Sequence, residues 1–353
     1  DKVAQCKSCW TVEAQGRRSL RLNLNDFITN GRGSHLESSW LQSYFNRKDD
    51  FVTDQVMLTD IKIGNTCNFA CVMCNPKDSS MIYNYWSKNK DNEFVQQHLE
   101  KDPNYFEKAK FTGFKQNAYR DYIEDVLQKN DKIKRISLLG GEPTLDEKLF
   151  NMLYAISDER KKKIAINIIT NGSNNLVERT KKLGCFANIH WTISLEGVED
   201  VQDYARYGSN WQEVETNILE QLAYDPYSLT IAPFVQATTI TGLPSLIRWA
   251  NKHNMPLHVQ DLYAPNYLGL DSVPDQLKHE VISELQSISG FKVAVNDENV
   301  PWDMSAIINT INDSKYSDTK FTQFKNYLTF YEKDRNMKTF LDVCPEWRQY
   351  FEV

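Results

Sequence analysis

Long apolar runs are missing from this chain of 353 residues, and no segment has the architecture of a signal peptide. Neither a membrane-spanning helix nor export is therefore expected. Positive charge is also scarce: 41 Lys and Arg stand against 47 Asp and Glu, a net charge of −6. A protein held to nucleic acid by neutralising phosphates needs the opposite balance, and no basic or aromatic-rich recognition motif is present, so nucleic acid is not an expected partner. Histidines number only six, and His190, His253 and His258 show no H-x-x-x-H spacing, so structural or exposed roles are expected for them. There is no internal repeat and no low-complexity stretch. The chain opens on Asp1 rather than Met, and its natural start is expected to lie upstream.

What is present is ample for a packed interior, with 41% hydrophobic and 12% aromatic residues. The length suggests one large domain with an appendage rather than a single small domain. Seven cysteines, three of them clustered, suit a reducing compartment, and the cytoplasm is expected.

The chemistry concentrates in the run IGNTCNFACVMCN (63–75), which places Cys67, Cys71 and Cys74 at the spacing C-x3-C-x2-C. Three thiolates this close can face one metal centre, and soft thiolates select iron–sulfur clusters or zinc. Structural zinc takes four protein ligands, and no histidine or further cysteine follows nearby to complete a set. A [4Fe–4S] cubane held by three cysteines would leave one iron open to a small molecule. Three buried or zinc-bound thiols in a loop is the plainer alternative.

Hydrophobic periodicity predicts strands over 57–63, 133–139, 164–169, 188–195, 229–238 and 257–262. Helices are predicted between them over 147–160, 176–183, 211–223 and 243–253. Strands alternating with helices imply βαβ units and a parallel sheet. Six such units fit a partial, open TIM-like barrel, an α/β fold whose chemistry lies at the carboxyl ends of the strands. Residues 75–132 read as a charged, helical insertion, either an elaboration packed outside the barrel or a lid over it. Residues 271–353 read as a helical C-terminal extension, and 51–270 as the barrel domain.

These motifs resemble the radical S-adenosylmethionine superfamily, whose signature is C-x3-C-x2-C with an aromatic residue before the third cysteine; here that position is Met73. The resemblance implies a (β/α)6 partial barrel, a [4Fe–4S] cluster on Cys67, Cys71 and Cys74, and S-adenosylmethionine chelated at the open iron. It also implies reductive cleavage of that cofactor, abstraction of a hydrogen atom from substrate, and an electron donor such as a flavodoxin or ferredoxin. Gly140-Gly141-Glu142-Pro143 matches the family's GGEP motif, which holds the amino group of the methionine moiety. Two glycines allow close approach of backbone to a ligand. Thr170 and Asn171 would meet the ribose or the substrate, although a simple turn explains Asn171-Gly172 equally well.

In ISLEG (193–197) the family pattern Ser-x-Asp-Gly becomes Ser194-Leu-Glu196-Gly. Ser194 would sit at the ribose or carboxylate of the cofactor, and Glu196 would face substrate with one methylene more than the usual aspartate. Arg206 occupies the place of an arginine that pairs with the methionine carboxylate, where a planar guanidinium binds bidentately; a solvated surface arginine is the plainer reading. Thr239 or Ile240 would wall the adenine.

The opening Cys6-Lys-Ser-Cys9 pair, followed by Glu13 and Gly16-Arg-Arg-Ser19-Leu-Arg21, is a metal half-site. It resembles the end of a twitch or SPASM-type auxiliary-cluster module, so residues 1–50 are assigned to such a module, with an auxiliary iron–sulfur cluster. Cys185 and Cys344 have no partner spacing. Relatives with auxiliary clusters often modify peptides, so a peptide or protein substrate is expected first and a sugar or alcohol second. A non-catalytic, metal-stabilised interaction protein is the reading from a different class.

Overall fold

A computed structural model gives the architecture. It describes residues 7–14, 19, 22, 58–110, 121, 124, 127–130, 133–262, 264–288, 292–295, 298–301 and 304–352. Cys6, Gly16 and Arg21, and with them most of the expected module over 1–50, lie outside the described residues; Cys9 stands on the helix Lys7–Ala14.

Five parallel strands form the central sheet: β1 (Leu58–Lys62), β2 (Arg135–Leu139), β3 (Ala165–Thr170), β4 (Asn188–Ile193) and β5 (Leu229–Ile231), ordered β1-β2-β3-β4-β5. β3 shows why the sequence forms a central strand: its β-branched run is covered on both faces, with Ile166, Asn167 and Ile168 all buried. A sixth stave follows through the parallel bridge Ile231↔Leu257 and the parallel ladder of Phe234–Val235 with Gln260–Asp261. Six successive parallel staves agree with the partial barrel expected. Among the described residues no ladder joins the sixth stave back to β1, so the sheet is open there.

Two elements differ from the sequence reading. The fifth strand, expected over 229–238, breaks at Pro233, which has no N–H to donate to a ladder. The next N–H, on Phe234, goes instead to the Glu196 carboxylate at 2.8 Å. The helix expected over 147–160 ends at Ala155, because Ser157 accepts from the Arg160 N–H and caps a separate turn, Asp158–Lys161.

The C-terminal extension is not wholly helical, since Lys292–Val295 and Glu298–Pro301 form an antiparallel hairpin. Its long helix, Asp318–Glu332, belongs to the same hydrophobic core as the barrel through Phe324, Tyr327, Leu328 and Tyr331. Of the insertion's helices, Ser80–Lys88 and Glu93–Lys101 pack against it, and Tyr105–Ala109 packs on those two. Phe94 stacks on Phe330 with centroids 5.1 Å apart, and Trp86 meets the same ring edge-on at 6.0 Å.

His190 on β4 reports on sheet burial. Its Nε2 lies 2.9 Å from Thr230 Oγ1 on β5, and burial, with Arg135 nearby, lowers its pKa to about 4 from an ordinary 6.5. Between these values the unfolded chain binds the proton and the folded chain does not, so stability falls as pH drops from 6.5 to 4. The shift is worth on the order of 2 kcal/mol once partial solvent access is discounted. His190→Gln is expected to remove this component, flattening the pH dependence of the urea midpoint in that window relative to wild type. An unchanged slope counts against it.

Candidate functional site at the strand ends

The cysteine loop leaves the carboxyl end of β1 and is pinned from several sides. Ser80 anchors Cys67 twice, its hydroxyl accepting from Cys67 N–H at 3.1 Å and lying 3.2 Å from Cys67 C=O. The Ser79 hydroxyl donates to Phe69 C=O at 2.8 Å while capping the helix Ser80–Lys88. Ala70–Cys71 pairs antiparallel with Arg206–Tyr207, so Cys71 lies in register with Arg206. Asn68 Oδ1 accepts from Asn171 Nδ2 at 2.9 Å, and Asn68 Nδ2 donates to Ser173 Oγ at 3.0 Å, which clips the loop to the end of β3.

Two thiols receive N–H donors. Phe69 N–H points at Cys67 Sγ at 3.4 Å, and Arg206 Nη1 at Cys71 Sγ at 3.5 Å. Burial, reinforced by the neighbouring Cys71, pushes the Cys67 thiol up to about 12. Burial raises Cys71 and Cys74 as well, with Arg206 pulling Cys71 back down. Ligating these sulfurs must therefore displace protons.

Gly140 and Gly141 follow β2 with φ of +93° and +55°, and they press against the start of the cysteine loop. A Cβ on Gly141 would stand 2.3 Å from Thr66 C=O, the acceptor of the Glu142 N–H at 2.8 Å. The GGEP turn and the cysteine loop are thus one backbone-to-backbone unit. Glu142 is fully buried and its carboxylate is already employed. Oε1 accepts from Thr144 N–H (3.0 Å), Thr144 Oγ1 (2.6 Å) and Thr170 Oγ1 (2.7 Å), and Oε2 from Asn171 N–H (2.6 Å). A carboxylate offers about four lone-pair sites, so this one works mainly as a brace between the ends of β2 and β3. Pro143 starts the short turn that Glu142 caps.

At the end of β4, Glu196 is 1% exposed and ion-paired with Arg206, Oε1 to Nη2 at 2.6 Å, while Oε2 takes the Phe234 N–H. The guanidinium is buried too, not solvated, and its Nε has no partner among the described residues. The two charges face each other, and Arg206 also faces Cys71. The extra methylene of Glu196 over aspartate is used to span from β4 to both Arg206 and Phe234. Ser194 is half-buried, with its N–H on Thr170 C=O at 2.8 Å. Thr239 is buried at the turn Ile240–Gly242, its N–H on Gln236 C=O.

Residues 61–220 match the sequence model of the Radical SAM superfamily. A search of curated proteins matched none. Among solved structures the chain is similar to native anSMEcpe with bound AdoMet and Cp18Cys peptide, at 16% identity and TM-score 0.44, over 65% of this chain and 58% of that one. It is also similar to Streptococcus suis SuiB bound to S-adenosylmethionine, at 14% identity and TM-score 0.38, over 90% and 55%. TYW1 with a lysine-pyruvate adduct bound is matched at 13% identity and TM-score 0.37, over 69% and 77%. This chain therefore spans less than two thirds of the first two of these structures.

The remaining cysteines stand apart from the cysteine loop in different ways. Cys344 is buried, its thiol pushed up to about 12 by burial and its Sγ 3.9 Å from Thr238 C=O. Cys185 lies 3.8 Å from Asp158 C=O, at the far end of β4. Among the described residues, no three His, Cys, Asp or Glu side chains converge on a single metal ion, Cys9 included. No helix among them is long and apolar enough to cross a membrane.

Sequence reasoning missed the support that the C-terminal helix gives to the cysteine loop. Tyr327 donates to Val72 C=O, and the Tyr331 hydroxyl lies 3.0 Å from Ala70 C=O and 3.1 Å from Tyr204 C=O. Arg335 donates to Ala70 C=O at 3.2 Å while stacked over the Tyr331 ring at 4.0 Å and Tyr85 at 4.5 Å. The i, i+4, i+8 spacing of these three was the available signal. The hydroxyl has one hydrogen for these two carbonyls and Ala70 C=O keeps Arg335, so Tyr331→Phe loses one buried hydrogen bond and is expected to destabilise by about 1 kcal/mol in urea unfolding. A midpoint equal to wild type refutes the clamp.

Also missed was Gln236, fully buried directly after the Phe234–Val235 segment with neither amide atom partnered among the described residues.

Proposed function

We propose that this protein is a radical S-adenosylmethionine enzyme, with Cys67, Cys71 and Cys74 holding a [4Fe–4S] cluster through three sulfurs. The observation that carries this reading is the fusion of the C-x3-C-x2-C loop with the GGEP turn at adjacent strand ends, where Gly141 allows contact with Thr66 that no side chain would permit. The donor set fits the group: three soft sulfurs, two of them met by N–H donors, on a loop braced by neighbouring elements. Thiolates of a cubane each bind a different iron, so they stand wider apart than ligands converging on one ion. When bound, the cluster would supply the electron that cleaves S-adenosylmethionine and so starts hydrogen abstraction from substrate.

The chain's own residues have the remaining tasks. Gly140, Gly141 and Pro143 present backbone carbonyls to the cofactor's ammonium, and Glu142 keeps that backbone in place through Thr144, Thr170 and Asn171. Ser194 and Thr239 line the ribose and adenine side. Glu196 fixes Arg206 beside Cys71. A peptide or protein is the substrate class proposed first, on the resemblance of the Cys6–Cys9 segment to auxiliary-cluster modules, and a sugar or alcohol second. A one-electron carrier such as flavodoxin or ferredoxin would deliver the electron.

Anaerobic reconstitution tests the reading. Iron and sulfide should load onto wild type, and 5′-deoxyadenosine should accumulate with S-adenosylmethionine and reductant. Zinc binding alone, with no cofactor cleavage, would refute it.

A further inference from the structure

We propose that Arg206 and Glu196 act as a pair that sets how readily the cluster on Cys71 accepts its electron. The inference rests on the reading of Cys67, Cys71 and Cys74 as cluster ligands and goes beyond it, since the sequence resemblance gives Arg206 to the methionine carboxylate instead.

The geometry is specific. Arg206 is placed opposite Cys71 by the backbone itself, through the Cys71↔Arg206 register and the Val72 N–H to Ala205 C=O bond at 2.8 Å. Its Nη1 donates to Cys71 Sγ at 3.5 Å, and its Nη2 is held by Glu196 Oε1 at 2.6 Å. The second Glu196 oxygen is fixed by Phe234 N–H, so the carboxylate cannot swing away without orphaning that donor. Both side chains are buried, Arg206 at 7% and Glu196 at 1% exposure.

Hydrogen bonds to cluster sulfurs and nearby charge are established levers on the potential of iron–sulfur centres. Reduction adds one electron from an external one-electron reductant, with no bond made or broken, and places one more negative charge beside the guanidinium. A cation donating to the Cys71 sulfur favours that reduced form. The Glu196 carboxylate opposes it, and the low dielectric of the buried pair strengthens both effects. Arg206 is thus a positioning residue acting through Cys71, and Glu196 limits its influence.

Redox titration of the anaerobically reconstituted full chain, followed by the electron paramagnetic resonance signal of the reduced cluster, tests the pair. Arg206→Gln is expected to lower the reduced-to-oxidised ratio about tenfold at a fixed solution potential, a shift of about 59 mV for one electron. Glu196→Gln, which leaves the cation uncancelled, is expected to shift the ratio in the opposite direction. Arg206→Lys keeps the charge without the fork and should fall between wild type and Arg206→Gln. Iron content is measured on each variant. If Arg206→Gln fails to hold the cluster, Arg206→Lys and Glu196→Gln decide the matter. Shifts of the same sign, or potentials equal to wild type alongside lost S-adenosylmethionine binding in equilibrium dialysis, overturn the inference and return Arg206 to the methionine carboxylate. A wild-type chain that takes up no iron overturns the cluster reading itself, and the inference with it.

Discussion

Gly141→Ala is expected to unfold more readily than wild type by about 3–5 kcal/mol and to lose cluster uptake altogether, although it adds a single methyl group. Two penalties coincide at this position. The backbone has φ of +55°, which an alanine adopts only with strain, and the new Cβ would lie 2.3 Å from Thr66 C=O and 2.9 Å from the carbonyl carbons of Asn65 and Thr66. Those atoms are backbone, so no side-chain rotation relieves the clash. Relief requires the GGEP turn to part from the cysteine loop, which breaks the Glu142 N–H to Thr66 C=O bond and shifts Cys67.

Gly184→Ala provides the comparison. Gly184 has φ of +75°, but the atom nearest to an added Cβ, the Lys182 carbonyl oxygen, is 4.0 Å away, so only strain applies and the loss should be about 1 kcal/mol. Denaturant midpoints for the two variants separate clash from strain. Equal losses would remove the claim that these two segments are locked together.

Cys71→Ala is expected to cut iron retention by at least about 100-fold, beyond the effect of losing an outer-shell partner, whereas Cys185→Ala retains all of it. The two thiols differ in place rather than chemistry. Cys71 sits on the loop after β1 with Arg206 at its sulfur, and Cys185 meets only Asp158 C=O at the opposite end of β4. Iron assay after anaerobic desalting checks both. Full iron content in Cys71→Ala would show that the loop is not the cluster's seat. This variant should also leave the Arg206 guanidinium with one fewer acceptor in a buried site, so a further loss of stability is expected.

Much of the architecture was legible because hydrophobic period and turn chemistry are local. The strand at 165–170 declares itself by its β-branched run, those at 58–62 and 135–139 by short apolar-rich stretches, and the helix Leu176–Leu183 by its spacing and its Asn175 cap. Pro233 was visible in the sequence, but its consequence was not. A strand interrupted by proline continues on either side, and what the freed Phe234 N–H does depends on Glu196 arriving from another strand. The hairpin over 292–301 was missed although its three valines favour strand, because two four-residue segments are too short to show a clear period.

The candidate site divides along the same line. C-x3-C-x2-C and GGEP were readable because each is a short contiguous run whose chemistry demands particular residue types. The employment of Glu142, Glu196 and Arg206 was not readable, since a carboxylate or guanidinium has no assigned partner until the fold delivers one. Glu142 is consumed by Thr144, Thr170 and Asn171, 2 to 29 residues away in the chain. Arg206 reaches a sulfur 135 residues away, and Tyr331 an Ala70 carbonyl 261 residues away.

By itself, then, the sequence determined the parallel α/β framework, the three-cysteine loop and the glycine turn that follows the second strand, because these depend on spacing and backbone freedom. Tertiary structure alone decided which charges neutralise one another, which carboxylate braces two strand ends, and that a C-terminal helix holds the cysteine loop from behind. Those outcomes turn on distances between groups far apart in the chain, and burial makes each unpaired donor or charge costly enough that the fold must find it a partner.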